Sequence, residues 1–111
     1  MIMHSGYLEK RPDEKSIREG IRAVARLAKG TSYGRILIEN TYPEGTFDID
    51  KGVYFIGYNY GQLKELLELT GMGFCLDFEH AAIAAYQLGL DFRQHVAELI
   101  KLKPEYFQLS G

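Results

Sequence analysis

Four short apolar runs recur along this chain, and the segments between them carry helical patterning. The runs cover residues 1–4, 35–39 (RILIE), 73–77 (GFCLD) and 105–109 (EYFQL), so strands repeat about every 35 residues. The last three are nearly continuous in apolar residues, as expected of parallel strands covered on both faces. Between the first two, residues 13–29 place Ile17, Ile21, Val24, Ala25 and Ala28 at helical spacing, with Asp13 as N-cap and Gly30 just past the end. Residues 62–69 carry a shorter stripe of Leu63, Leu66 and Leu67, followed by Gly71. A short helix over 80–88 ends near Gly89. Another over 91–103 uses Phe92, Val96, Leu99 and Ile100, with Asp91 as its cap and Pro104 as its stop. A β-α-β-α-β-α-β order joined by right-handed crossovers predicts one parallel sheet.

That order makes an α/β fold. It is either a small open sheet or half of a (β/α)8 barrel, whose full form runs to about 250 residues. The chain has 111 residues, enough for one domain. It begins inside one strand and stops just after another, which reads as a piece of a larger barrel or a half-barrel completed by a second copy.

Composition limits function. The net charge of -2 supplies no general attraction for nucleic acid or anionic membranes, although a local basic patch is compatible with it. No apolar run approaches the roughly 18 residues of a membrane span, and the N-terminus lacks a secretion-signal core. The single Cys75 rules out an internal disulfide and fits a reducing compartment. The expectation is a cytoplasmic chain with no membrane partner.

Residues 42–61 interrupt the rhythm with a long aromatic connection containing Tyr42, Phe47, Tyr54, Phe55, Tyr58 and Tyr60. Within it, residues 47–56 read as a hairpin turning at Asp50-Lys51-Gly52. Its aromatics suit stacking on a sugar or base, or equally a hydrophobic cluster at the sheet rim.

Each apolar run ends on or near a polar residue: His4, Glu39, Asp77 and, in the fourth, Gln108. C-terminal strand ends of a parallel sheet face a common crevice. A carboxylate there is costly unless it is paired or bound to a metal. Two neighbouring carboxylates repel, and a divalent cation is their natural neutraliser. His80, three residues after Asp77, can face the same mouth. Taken singly, His4 reads as an exposed bystander and Asp77 as a helix N-cap; together they predict a metal site of His4, Glu39, Asp77 and His80. Mixed imidazole and carboxylate ligands favour zinc, with manganese or magnesium as alternatives. His95 reads as a surface residue, and Cys75 as a buried, inert thiol.

These motifs resemble a known family. His4-Ser-Gly, Ile38-Glu39-Asn40-Thr41 with Glu44-Gly45-Thr46, and Cys75-Leu76-Asp77-Phe78-Glu79-His80-Ala81 are together similar to the endonuclease IV-like branch of the xylose isomerase-like TIM-barrel superfamily. The resemblance covers nearly all of residues 1–111, as about the third to sixth strands of the barrel. It implies that His4, Glu39, Asp77 and His80 bind metal, and that Glu39 and Asp77 are the catalytic carboxylates. In the isomerase branch it implies that Glu39 and Asp77 hold one divalent ion and that the His after the Asp contacts substrate. Asn40, Tyr42 and Gln108 are the candidate substrate-binding residues. Gln108 stands where the endonuclease branch presents a His, and Gln is a poor zinc ligand.

Three functions are expected from this resemblance and from the shape of the chain. The first is metal-dependent hydrolysis of phosphodiesters at abasic DNA sites, a DNA-repair activity. The second is isomerisation or epimerisation of a small sugar or sugar phosphate. The third is a non-catalytic half-barrel that pairs with itself as a homodimer. For the 111 residues alone, turnover is expected to be weak or absent.

Overall fold

The computed structural model describes residues 2–3, 7–8, 13–29, 37–48 and 51–109. The elements run β1 (Ile2–Met3), β2 (Tyr7–Leu8), α1 (Glu14–Lys29), β3 (Leu37–Glu39), β4 (Glu44–Asp48), β5 (Lys51–Phe55), α2 (Tyr60–Thr70), β6 (Gly73–Asp77), α3 (Phe78–Leu88), α4 (Phe92–Ile100) and β7 (Tyr106–Gln108). The chain is α/β, with a four-stranded parallel sheet in the order β1-β3-β6-β7. Parallel neighbours therefore succeed one another along the chain, with no switch of direction across the sheet.

Side-chain alternation divides this sheet into two unlike faces. Register pairs Ile38 with Phe74 and Leu76 with Phe107, so these residues point one way. Ile38, Phe74 and Leu76 form one buried core with Ile21 of α1, Leu63 and Leu66 of α2, Ala81 of α3 and Leu99 of α4. All four helices thus cover the same face. The opposite face carries Leu37, Glu39, Gly73, Cys75, Asp77, Tyr106 and Gln108 by the same alternation. An open doubly wound sheet takes helices on both faces, whereas here the four helices pack on one. Among the described residues no closed barrel is formed.

Helix ends obey the expected chemistry. Asp13 Oδ1 accepts the Ser16 N–H at 2.7 Å, Asn59 Oδ1 the Gln62 N–H at 2.9 Å, and Asp91 Oδ1 the Gln94 N–H at 3.0 Å. Gly71 and Gly89 close α2 and α3 in the left-handed conformation, at φ 69° and 68°.

Three expectations need correction. The hairpin begins at Glu44, and Lys51 and Gly52 lie inside β5, paired with Asp48 and Thr46. A register shift between Thr46 and Asp48 adds one residue to β4, so Gly52 lies in β5 opposite that bulge rather than in the turn. The hairpin also gains β2 on the far side of β5, making a separate antiparallel sheet of order β2-β5-β4. His95 is not on the surface: it is 5% exposed, its Nε2 has no hydrogen-bond partner among the described residues, and burial lowers its pKa. The inward face of α4 centres on His95 and Leu99, leaving Phe92 and Ile100 about half exposed.

This makes His95 a source of acid lability. A histidine whose folded pKa is depressed contributes stability that is complete above the unfolded value near 6.5 and is lost as pH falls below it. His95→Leu should therefore raise stability at pH 7.5 by about 1 kcal/mol, the order of an unpaired buried polar atom. It should also flatten the decline between pH 6.5 and 5, which urea titrations at the two ends would measure.

Candidate metal centre

β3 and β6 pair as far as Glu39 and Cys75, and each strand then delivers a carboxylate, at its C-terminal end, to the face opposite the helices. Glu39 is 4% exposed and Asp77 is fully buried. Asp77 Oδ1 accepts the His80 N–H at 2.9 Å and so caps α3. The cap starts α3 at Phe78, two residues before the predicted start, and its first turn swings the His80 ring back over the strand ends. His80 Nδ1 then lies 3.4 Å from Glu39 Oε1 and 3.8 Å from Asp77 Oδ2. One donor atom from each of Glu39, Asp77 and His80 falls within 4.8 Å of the others.

The charge balance of this group is poor without a cation. Asp77 Oδ2 is buried and accepts no hydrogen bond from the described residues. The Glu39 carboxyl is pushed up to about 8, first by burial and then by a hydrogen bond and repulsion from the Asp77 carboxylate. A proton kept on Glu39 is thus the metal-free way of satisfying Asp77. A divalent cation in its place would neutralise both carboxylates and give Oδ2 a partner. Two oxygens and an imidazole nitrogen in a buried cluster suit zinc or manganese, so the residues fit such an ion.

Cys75 lies on the same face beneath the carboxylates, fully buried, with its thiol pushed up to about 11 by burial and by Glu39 and Asp77. It is a thiol, not a thiolate ligand, at neutral pH.

The remaining predicted residues are placed as described next to their neighbours. Gln108 stands opposite Asp77 in the β6–β7 ladder and is partly exposed on the site's face. Tyr42 meets the His80 ring edge-on at 5.2 Å and Phe55 at 5.2 Å, so the hairpin contributes an aromatic wall beside the imidazole. That wall is braced: Thr41 Oγ1 donates to the Ile56 carbonyl at 2.6 Å, and Gln87 bonds both the N–H and the carbonyl of Glu44. Asn40 is fully buried, and its amide is engaged by Asp77's main chain. His4 lies outside the described residues. Sequence reasoning named Phe55 among the aromatics of this connection but read Asn40 as a substrate contact rather than a brace; an Asn directly after a strand's terminal acid was the one visible signal. Among the described residues, no helix is long and apolar enough to cross a membrane. Comparison with models of protein families, with curated proteins and with solved structures finds no match to this chain.

Proposed function

We propose that this chain is part of a divalent-metal-dependent enzyme of the endonuclease IV-like, xylose isomerase-like barrel superfamily, its four strands forming half the barrel wall. The observation that carries the reading is the convergence of Glu39, Asp77 and His80 at the C-terminal strand ends, with Asp77 Oδ2 buried and, among the described residues, without a hydrogen-bond partner. The sequential strand order and the one-sided helical layer support the barrel.

A bound ion would supply Lewis-acid charge to a substrate oxygen. The chain's own residues do the rest: Glu39 and Asp77 would hold the cation. Tyr42, backed by Phe55, flanks His80, while Gln108 offers an amide to a hydroxyl. The aromatic wall and the net charge of -2 favour a sugar or sugar phosphate as substrate. A second reading, phosphodiester hydrolysis at abasic DNA, is favoured by His80 joining the two carboxylates as a third donor. Zinc- or manganese-loaded protein assayed against abasic-site duplex and against a panel of aldoses and ketoses separates them. Cleavage without isomerisation selects the second reading, isomerisation or epimerisation selects the first, and failure to bind either ion rejects both.

The β7 edge also calls for a partner. Tyr106, Phe107 and Leu109 are 56%, 52% and 82% exposed along that edge. We assign closure to a second copy, giving an eight-stranded homodimer with both metal sites at one mouth. Light scattering should return twice the monomer mass at micromolar concentration, and Phe107→Lys should return the monomer. A wild-type monomer at that concentration overturns the assignment.

A further inference from the structure

We infer that Asn40 is the positioning residue of the metal centre: without touching the ion, it turns Asp77 and His80 into a fixed ligand pair. The inference rests on the metal-centre reading above and deepens it. The β3–β6 ladder ends at the Glu39–Cys75 pair, and the next rung is made by a side chain. Asn40 Oδ1 accepts the Asp77 N–H at 2.6 Å, and Asn40 Nδ2 donates to the Asp77 carbonyl at 3.0 Å. One primary amide therefore does what a strand residue would do, and it holds the main chain of Asp77 beside β3 where the strands would otherwise diverge.

The main chain of the same residue reaches His80. The Asn40 carbonyl lies 2.8 Å from His80 Nδ1. A carbonyl only accepts, so Nδ1 carries the hydrogen and the ring's lone pair is on Nε2. The circuit closes through Asp77 Oδ1, which accepts the His80 N–H at 2.9 Å. The ligands are affected in three ways. Asp77 Oδ1 is held by the helix, so Oδ2 is the oxygen left for a cation. His80 is fixed in one tautomer, its Nδ1–H held by the Asn40 carbonyl beside Glu39 Oε1 and Asp77 Oδ2 and its lone pair left on Nε2. The separation between Asp77 and Glu39 is set by the Asn40 amide, because that amide spans the two strands.

Asn40 is fully buried, as are its neighbour Thr41 and Asp77. Thr41 also makes a buried side-chain bond across the chain, to the Ile56 carbonyl at 2.6 Å. It serves the hairpin and has no bond to Asp77 or His80. Thr41→Val is therefore a control of equal burial that damages packing without touching the circuit.

The experiment uses the whole chain and Co²⁺ as the probe. Isothermal titration is run on the unsubstituted chain, Asn40→Ala and Thr41→Val, with thermal melts of each metal-free protein. Two-bond ¹⁵N–¹H correlation spectra of His80 are recorded at alkaline pH. The expected result for Asn40→Ala is a 10- to 100-fold loss of Co²⁺ affinity, the usual cost of removing an outer-shell support. Thr41→Val should lose stability and keep its affinity within a few-fold. The unsubstituted chain should show His80 as the Nδ1–H tautomer, and Asn40→Ala a mixture. Equal affinity in Asn40→Ala and the unsubstituted chain overturns the inference, as does an Nε2–H tautomer in the latter. Should Asn40→Ala not fold, the tautomer in the unsubstituted chain still decides. Absence of Co²⁺ binding by the unsubstituted chain rejects the metal centre itself, a failure distinct from the loss of Asn40's role.

Discussion

Asp77→Asn should lower zinc or manganese affinity by on the order of 100-fold or more, since loss of an outer-shell support alone costs about 10- to 100-fold. The metal-free fold should meanwhile be unharmed. These two effects separate because the two oxygens of Asp77 have different duties. Oδ1 caps α3 through the His80 N–H at 2.9 Å, and an Asn side chain caps equally well with its own oxygen. Oδ2 is buried with no hydrogen-bond donor among the described residues, faces the group formed with Glu39 and His80, and is the atom the substitution turns into an NH2. The new amide can donate towards Glu39 and removes the repulsion between the carboxylates. The metal-free melting temperature is therefore expected to stay level or rise as ion binding disappears. Glu39→Gln should behave alike, from the other strand. Titration calorimetry with each ion and melts of the chelated proteins provide both readings. A variant that binds as the unsubstituted chain does would refute the site, and one that unfolds would assign Asp77 to structure alone.

The parts of this site that were legible in sequence are those where one residue type violates its surroundings. An acid closing an apolar strand is such a violation, and it occurs at both Glu39 and Asp77. The strand 73–77 was readable to the residue because Gly71 precedes it and Asp77 both ends it and caps α3. Asn40 was read as a substrate contact from its place beside Glu39, and nothing in one sequence says that its amide spans to a strand 37 residues away. The same limit hid His95: the apolar stripe of α4 fits helical spacing through Phe92 and Ile100, and only the packing of α4 shows the face rotated towards His95. The hairpin misled for a local reason. Asp-Lys-Gly is turn chemistry, but the bulge after Thr46 moves the reversal to between Asp48 and Lys51. β2, two residues long, pairs only with a distant strand and has no period of its own to detect.

The second large effect is a reversal of pH dependence on metal binding. In the metal-free chain the Glu39 carboxyl is raised from 4.5 to about 8, chiefly by burial and then by Asp77. The folded state therefore holds a proton that the unfolded chain has released, and stability falls with rising pH across that interval. The contribution is complete below about pH 4.5, declines through neutrality and is gone once pH passes about 8. Its size is on the order of a few kcal/mol, since each unit of pKa is worth about 1.4 kcal/mol. A divalent ion binds the ionised carboxylate and displaces that proton, so saturating metal should erase the decline and make stability largest above pH 8. Metal affinity should rise about tenfold per pH unit between 6 and 8, with one proton released per ion in buffers of different ionisation enthalpy. Glu39→Gln has no proton to lose at this position: its metal-free stability should be flat from pH 6 to 8. If the chelated chain is equally stable at pH 5.5 and 8.5, Glu39 is ionised in the folded state and the cation is not what neutralises it. If the slope appears and zinc removes it, the proton on Glu39 and the ion are alternative occupants of one charge-deficient pocket. The burial of Glu39 and Asp77 then reflects a site built to be completed by a cation.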